Sequence, residues 1–163
     1  MPLFQTSVLK SHLALLNAVE VEKAYKKYQK YFLNLAIQEN IKSSKEEQFQ
    51  ATFLTELFVN ILGYTINPRP NYNITTEFKN QKNARKADGA ILKDLIAIGV
   101  IELKGTKTKD LESIRRQAFD YKANQKGCVY VVTSNFEKLR FYINDATEFE
   151  EFNLFELSQA RFK

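Results

Sequence analysis

Apolar residues recur at helical spacing through the first quarter of the chain. Leu13, Leu16, Val19, Tyr28, Phe32, Leu35 and Ala36 can share one face, with Lys23, Lys26, Lys27 and Lys30 on the other. That pattern predicts one long amphipathic N-terminal helix over about residues 7–40. A second helix is expected from about Lys45 to Leu62. Ser44-x-x-Glu47 reads as a capping box, Phe49, Phe53, Leu57, Phe58 and Ile61 form the apolar stripe, and Gly63 is a natural stop. Strand-like runs follow at Tyr64–Ile66 and Asn73–Phe78, around the turn residues Pro68-Arg69-Pro70, then at Asp88–Leu92 and Ile98–Lys104. Leu111, Ile114, Ala118 and Tyr121 return to helical spacing from Thr106 to about Asn124, with Gly127 as a stop; Cys128–Thr133 and Leu139–Ile143 read as further strands. Together these elements predict an α/β domain, a mixed sheet flanked by helices.

The most apolar of these strands ends in charge. On a strand, residues two apart point to the same face, so Glu102 and Lys104 project together while Ile101 and Leu103 face the other way. If Asp88–Leu92 and Ile98–Lys104 pair antiparallel through a loop at Lys93–Ala97, with Leu92 opposite Ile98, Asp88 falls opposite Glu102. Opposed Cβ atoms lie roughly 4.5–5.5 Å apart, within reach of one shared cation. Two carboxylates and an amine are what a hard divalent ion and a metal-activated water require. A tight turn at Lys93-Asp94 would instead separate the carboxylates by about 10 Å of strand rise, so this chemistry predicts the longer loop. Plainer readings exist: Asp88-Gly89 is also a hairpin-turn signal, and Glu102 with Lys104 could be a solvent-facing pair on an edge strand.

Two further residues bear on the same chemistry. Gln117 and Tyr121, four apart on the helix after the charged strand, share a face; Gln117 turned towards the carboxylates would offer an amide to a water or a phosphate oxygen. Glu56 lies one residue from the centre of its helix's apolar stripe. Aimed at the sheet it would need a cation or donors, whereas on the flank of the stripe it would simply be solvated.

Composition sets outer limits. The chain has 163 residues, 44% of them hydrophobic, enough for one core and most simply one domain. Its formal charge of +5 suits a polyanionic partner. Lys82, Arg85 and Lys86 precede Asp88, Lys107 follows Lys104, and Arg115, Arg116 and Lys122 lie on the next helix, positions suited to phosphate contacts on double-stranded DNA. The single cysteine, Cys128, and the single histidine, His12, allow no disulfide framework or zinc site. With no membrane-length apolar run and no leader, a cytoplasmic protein is expected.

Lys86-Ala87-Asp88-Gly89-Ala90-Ile91, Val100-Ile101-Glu102-Leu103-Lys104-Gly105, Gln117-Ala118-Phe119-Asp120-Tyr121, Ser134-Asn135-Phe136 and Leu139-Arg140-Phe141-Tyr142 carry a resemblance. The chain resembles the PD-(D/E)XK nuclease superfamily, and within it the N-terminal cleavage domains of type IIG restriction enzymes, which fuse nuclease and methyltransferase. Ala87 stands where the family name has proline, and Gln117-x-x-x-Tyr121 is similar to an element of RecB-like members. The resemblance implies a restriction-endonuclease-like fold and a metal site of Asp88, Glu102 and the Leu103 carbonyl holding Mg²⁺, with Mn²⁺ as a substitute. It further implies Lys104 beside the attacking water, supporting roles for Gln117 and Glu56, and cleavage leaving a 5′-phosphate. Residues 1–40 would be the N-terminal helix, 44–145 the catalytic core, and 146–163 the start of a connector to a linked methyltransferase and specificity region; a transient dimer would serve double-strand cleavage. Other readings are a repair or junction-resolving nuclease, a non-catalytic DNA-binding module, and a dimerising structural domain.

Overall fold

A computed structural model describes residues 3–163. The apolar periodicity of the N-terminal region is real, but the expected single helix is three: α1 (Thr6–Leu15), α2 (Ala18–Phe32) and α3 (Leu35–Ser43). Asparagine makes each break. Asn17 and Asn34 take extended backbone angles, and their side chains accept from Val19 N and Glu20 N and from Ile37 N, capping the helix that follows. Each break turns the stripe, so Tyr28 and Phe32 are buried while Leu16, Val19 and Leu35 are exposed.

The second predicted helix also divides. Its first half is α4 (Glu46–Phe53); Leu54–Ile61 continues as a π-helix, with Leu62 N bonded to Leu57 O. The Ser44/Glu47 capping box does not form. Ser44 Oγ donates back to Asn40 O at 2.7 Å, closing α3, and Lys45 N donates to the Gln48 side chain at 2.9 Å.

Six strands follow: β1 (Ile74–Lys79), β2 (Lys86–Lys93), β3 (Ile96–Leu103), β4 (Tyr130–Ser134), β5 (Lys138–Ile143) and β6 (Glu150–Asn153), in that spatial order. Only β3 and β4 run parallel, linked by the crossover helix α5 (Glu112–Ala123); the other neighbours are antiparallel. The stretch Tyr64–Ile66 forms no strand, only a bridge from Ile66 to Ile74. β6 overturns the expected end of the core at residue 145. Leu154 is buried, and Tyr28 Oη donates to Leu154 O at 2.8 Å while accepting from Leu157 N at 2.8 Å, so the 150–157 segment is sewn to α2 before the short α6 (Gln159–Phe162).

The sheet lies between two apolar layers, and β3 alternates between them. Ile101 and Leu103 pack with Phe32, Phe49, Phe53 and Phe136 on the side of α2 and α4; Val100 packs with Ala118, Tyr121 and Tyr142 beneath α5. Phe136, in the β4–β5 turn, has φ of 72° and is held by ring contacts of 4.9 Å to Phe49 and 5.2 Å to Phe53. Asn135 beside it donates to Thr108 O at 2.8 Å, fastening the loop that follows β3. None of the described helices is long and apolar enough to cross a membrane.

The β2–β3 hairpin settles the register by a route the sequence hid. The expected loop of Lys93–Ala97 is absent; the turn has two residues, Asp94 and Leu95, both with positive φ (51° and 65°), so that Lys93 pairs with Ile96. That turn alone would slip Asp88 by one residue. A bulge corrects it: Leu92 pairs with Ala97 but Ile91 with Gly99, leaving Ile98 as the extra residue. The ladder then runs to Gly89 and Ile101, and the next positions are Asp88 and Glu102.

Candidate active site

Asp88, Glu102 and Lys104 are brought together where β2 and β3 part. Asp88 Oδ2 accepts from Leu103 N at 2.8 Å, a side chain standing in for the ladder bond β2 no longer supplies. Lys104 N donates to Ser134 O at 2.9 Å, anchoring the residue to β4 while its ammonium donates to Glu102 Oε1 at 3.3 Å. A side chain on Gly89, beside Asp88, would meet Leu54 Cδ1 and Thr75 O at 3.3 Å, so the close approach of the π-helix favours glycine there.

The electrostatics are those of charges held away from water. Glu102 is 2% exposed. Burial, then the neighbouring Asp88 carboxylate, push its pKa up to about 7 despite Lys104. Burial also raises Asp88, against the pull of the Leu103 N–H and Lys104. Burial works against the Lys104 ammonium, but Glu102, Glu46 and Asp88 outweigh it and the net direction is upward. Glu102 Oε2 is buried with no hydrogen-bond partner among the described residues, and Thr133 Oγ1, at the position paired with Glu102 on β4, is in the same condition. Buried oxygens in this state are rare and costly in a structural role.

This donor set fits a hard cation. Among the described residues no three acidic, histidine or cysteine side chains form a ready-made cage. Two carboxylates and a carbonyl, leaving positions for water and phosphate, are the pattern Mg²⁺ favours.

The other expected residues fall differently. Glu56 is corrected: it lies on the π-helix, accepts from Asn60 at 3.1 Å and lines a surface hollow with Lys27, Lys30 and Tyr31 instead of meeting the sheet. The wider π turn displaces it from the direction a 3.6-residue period assigns. Glu46, at the start of α4, takes the place next to the lysine: its Oε1 is 3.7 Å from Lys104 Nζ and its Oε2 accepts from Gly105 N at 3.3 Å. Only its position in a helix's first turn, a favoured place for acids, could have marked it. Gln117 does not bond either carboxylate; it is exposed and donates to Tyr121 Oη at 3.2 Å.

The basic residues divide into committed and free. Arg115 pairs with Glu112 at 2.9 Å and donates to Ala146 O at 3.0 Å, and Lys86 pairs with Glu77 at 3.7 Å. Arg85 sits 3.5 Å from Asp120. Lys82, Lys107 and Arg116 are exposed, Lys122 is half-buried, and none of the four makes an ion pair among the described residues.

Residues 32–163, most of the chain and all of this site, match the family of the MmeI N-terminal domain. The chain belongs to that family. MmeI N-terminal domains are nuclease domains of type IIG restriction enzymes, which places this chain in the restriction-enzyme class that its motifs resembled. The mixed six-stranded sheet flanked by helices is the α/β architecture that the sequence led one to expect. Among solved structures the chain is similar to the cryo-EM structure of a DrdV–DNA complex, at 15% identity and a TM-score of 0.46, the match covering 85% of this chain and 87% of that chain. No curated protein matches the chain.

Proposed function

We propose that the chain is a metal-dependent endodeoxyribonuclease, the cleavage domain of a restriction-modification enzyme acting on double-stranded DNA. One observation carries the reading: a buried carboxylate, Glu102, keeps one oxygen without a partner beside a second carboxylate, Asp88, and an ammonium, Lys104. Asp88, Glu102 and the Leu103 carbonyl would hold Mg²⁺, or Mn²⁺ in its place, which when bound supplies Lewis acidity and a water of lowered pKa. Lys104, whose charged form Glu102, Glu46 and Asp88 favour, would orient the water and stabilise charge developing on the scissile phosphate. Glu46 holds Lys104 and Gly105 from the helix side, a second partner that would keep the ammonium directed at the site with Glu102 engaged by a cation. A linked methyltransferase and specificity region in a longer chain, transient pairing for double-strand cleavage, and a cytoplasmic location belong to the same reading.

The test is nicking of supercoiled plasmid in Mg²⁺. Lys104→Ala and Glu102→Ala should each lower the rate by at least about 100-fold, with far-UV circular dichroism unchanged. Undiminished nicking by either variant rules the assignment out.

A further inference from the structure

A cleft of about 870 Å³, lined by Arg85, Ser113, Arg116, Gln117, Asp120 and Tyr121, opens between the 80–85 loop and α5. Arg85 comes just before the strand that carries Asp88, and α5 packs on β2 and β3, the strands that carry the two carboxylates. Its lining is rich in donors: two guanidinium groups, an amide and the hydroxyls of Tyr121 and of Ser113, the latter donating to Asp110 O at 2.7 Å, against one carboxylate.

The loop bearing Arg85 is fixed from several directions. Asn80 N donates to Arg85 O at 2.9 Å, closing the loop, and Asn83 Oδ1 accepts from Arg85 N at 2.9 Å and from Asn80 Nδ2 at 3.0 Å. From the end of α5, buried Gln125 donates to Lys79 O at 3.1 Å, and Lys126 N donates to Gln81 Oε1 at 3.4 Å. A tip held this way presents its arginine without a large ordering cost, as a phosphate-positioning residue should. Arg85 is partnered by Asp120 at 3.5 Å, with both side chains largely exposed; Arg116, on the opposite wall, is exposed and has no partner among the described residues.

We propose that this cleft seats a backbone phosphate of duplex DNA beside the one being cut, gripped by Arg85 and Arg116, and that Asp120 occupies Arg85 until the phosphate displaces it. The anion's identity as DNA rests on the nuclease reading; the cleft's preference for a phosphate rests on its own donors. Arg115, committed to Glu112 and Ala146, takes no part.

The experiment is fluorescence anisotropy of a labelled duplex with the whole chain, in EDTA, over a series of KCl concentrations. Arg85→Ala and Arg116→Ala should each weaken binding and flatten the slope of log K against log salt by about one. Asp120→Asn, which removes the competitor, should tighten binding by about two- to five-fold, the worth of an exposed ion pair. Lys26→Ala, remote on α2 and paired with Glu22, should match the wild type. Slopes unchanged in both arginine variants, weaker binding by Asp120→Asn, or no duplex binding by the wild type overturns the proposal. The nicking assay separates the two claims. Flattened slopes with full nicking by Lys104→Ala leave the cleft standing and remove the nuclease; a dead Lys104→Ala with unchanged slopes does the reverse.

Discussion

Glu102, Thr133, Arg140 and Glu151 occupy successive paired positions on β3, β4, β5 and β6, forming one row across the sheet. Two clusters of charge sit on this row and are built to opposite ends. Around Arg140 the charge is balanced by two carboxylates: Nε donates to Glu151 at 2.7 Å, a terminal nitrogen donates to Glu112, and the guanidinium lies 4.1 Å from the Phe149 ring centre. That cluster ties α5, β5 and β6 together through side chains of the protein's own. Around Glu102 the ledger stays open. The carboxylate has one lysine contact, a like-charged neighbour and an unpartnered oxygen, and Thr133 next to it is unpartnered as well. Charges that serve the fold close upon one another, whereas charges that serve chemistry keep a position free.

Substitution should separate the clusters by stability. Arg140→Ala removes the one cation shared by Glu112 and Glu151, leaving them Arg115 and Lys138, and should cost about 1–3 kcal/mol in urea unfolding, discounted from a fully buried pair because Glu112 and Glu151 are partly exposed. Glu102→Gln removes a buried charge at the open cluster and leaves Lys104 its contact with Glu46, so in EDTA it should change stability by less than about 1 kcal/mol, or raise it. A reversal of that order would mean that Glu102 is the structural charge.

The smallest effect is expected between the two clusters. Thr133→Val exchanges a hydroxyl without a partner for a methyl group of similar shape, and the metal-free protein should unfold within about 1 kcal/mol of the wild type. A loss of several kcal/mol would show that Thr133 Oγ1 does make a hydrogen bond and that the row is closed throughout.

The strands of the candidate site were legible because period-2 alternation is rigid: once Ile101 and Leu103 are inside on one face, Glu102 and Lys104 must share the other. The register that carries Asp88 and Glu102 to the positions just past the ladder's end was anticipated, but through a loop that does not exist. Nothing in Lys93-Asp94-Leu95-Ile96 announces a two-residue turn with a leucine at positive φ, nor does Ile98 announce a bulge, and the two errors cancel. Long-range closure was harder still. Asn17 and Asn34 interrupt an apolar stripe that otherwise continues, so a periodicity reading runs through them. The π-helix turned Glu56 away from the sheet and left the lysine to Glu46, because a five-residue hydrogen-bond step is invisible in a pattern judged at 3.6. The 150–157 segment read as a departing connector because the residue that fastens its end, Tyr28, is far away in sequence, and Glu150-Glu151-Phe152-Asn153 shows no clear alternation to mark a strand beside β5.

The most direct test of the open cluster is to place the ion. Crystals of the protein soaked in Mn²⁺ should show an anomalous peak within about 2.0–2.6 Å of carboxylate oxygens of both Asp88 and Glu102, with the Lys104 ammonium alongside and no peak in Glu102→Gln. A peak elsewhere, or none at saturating Mn²⁺, would contradict the account.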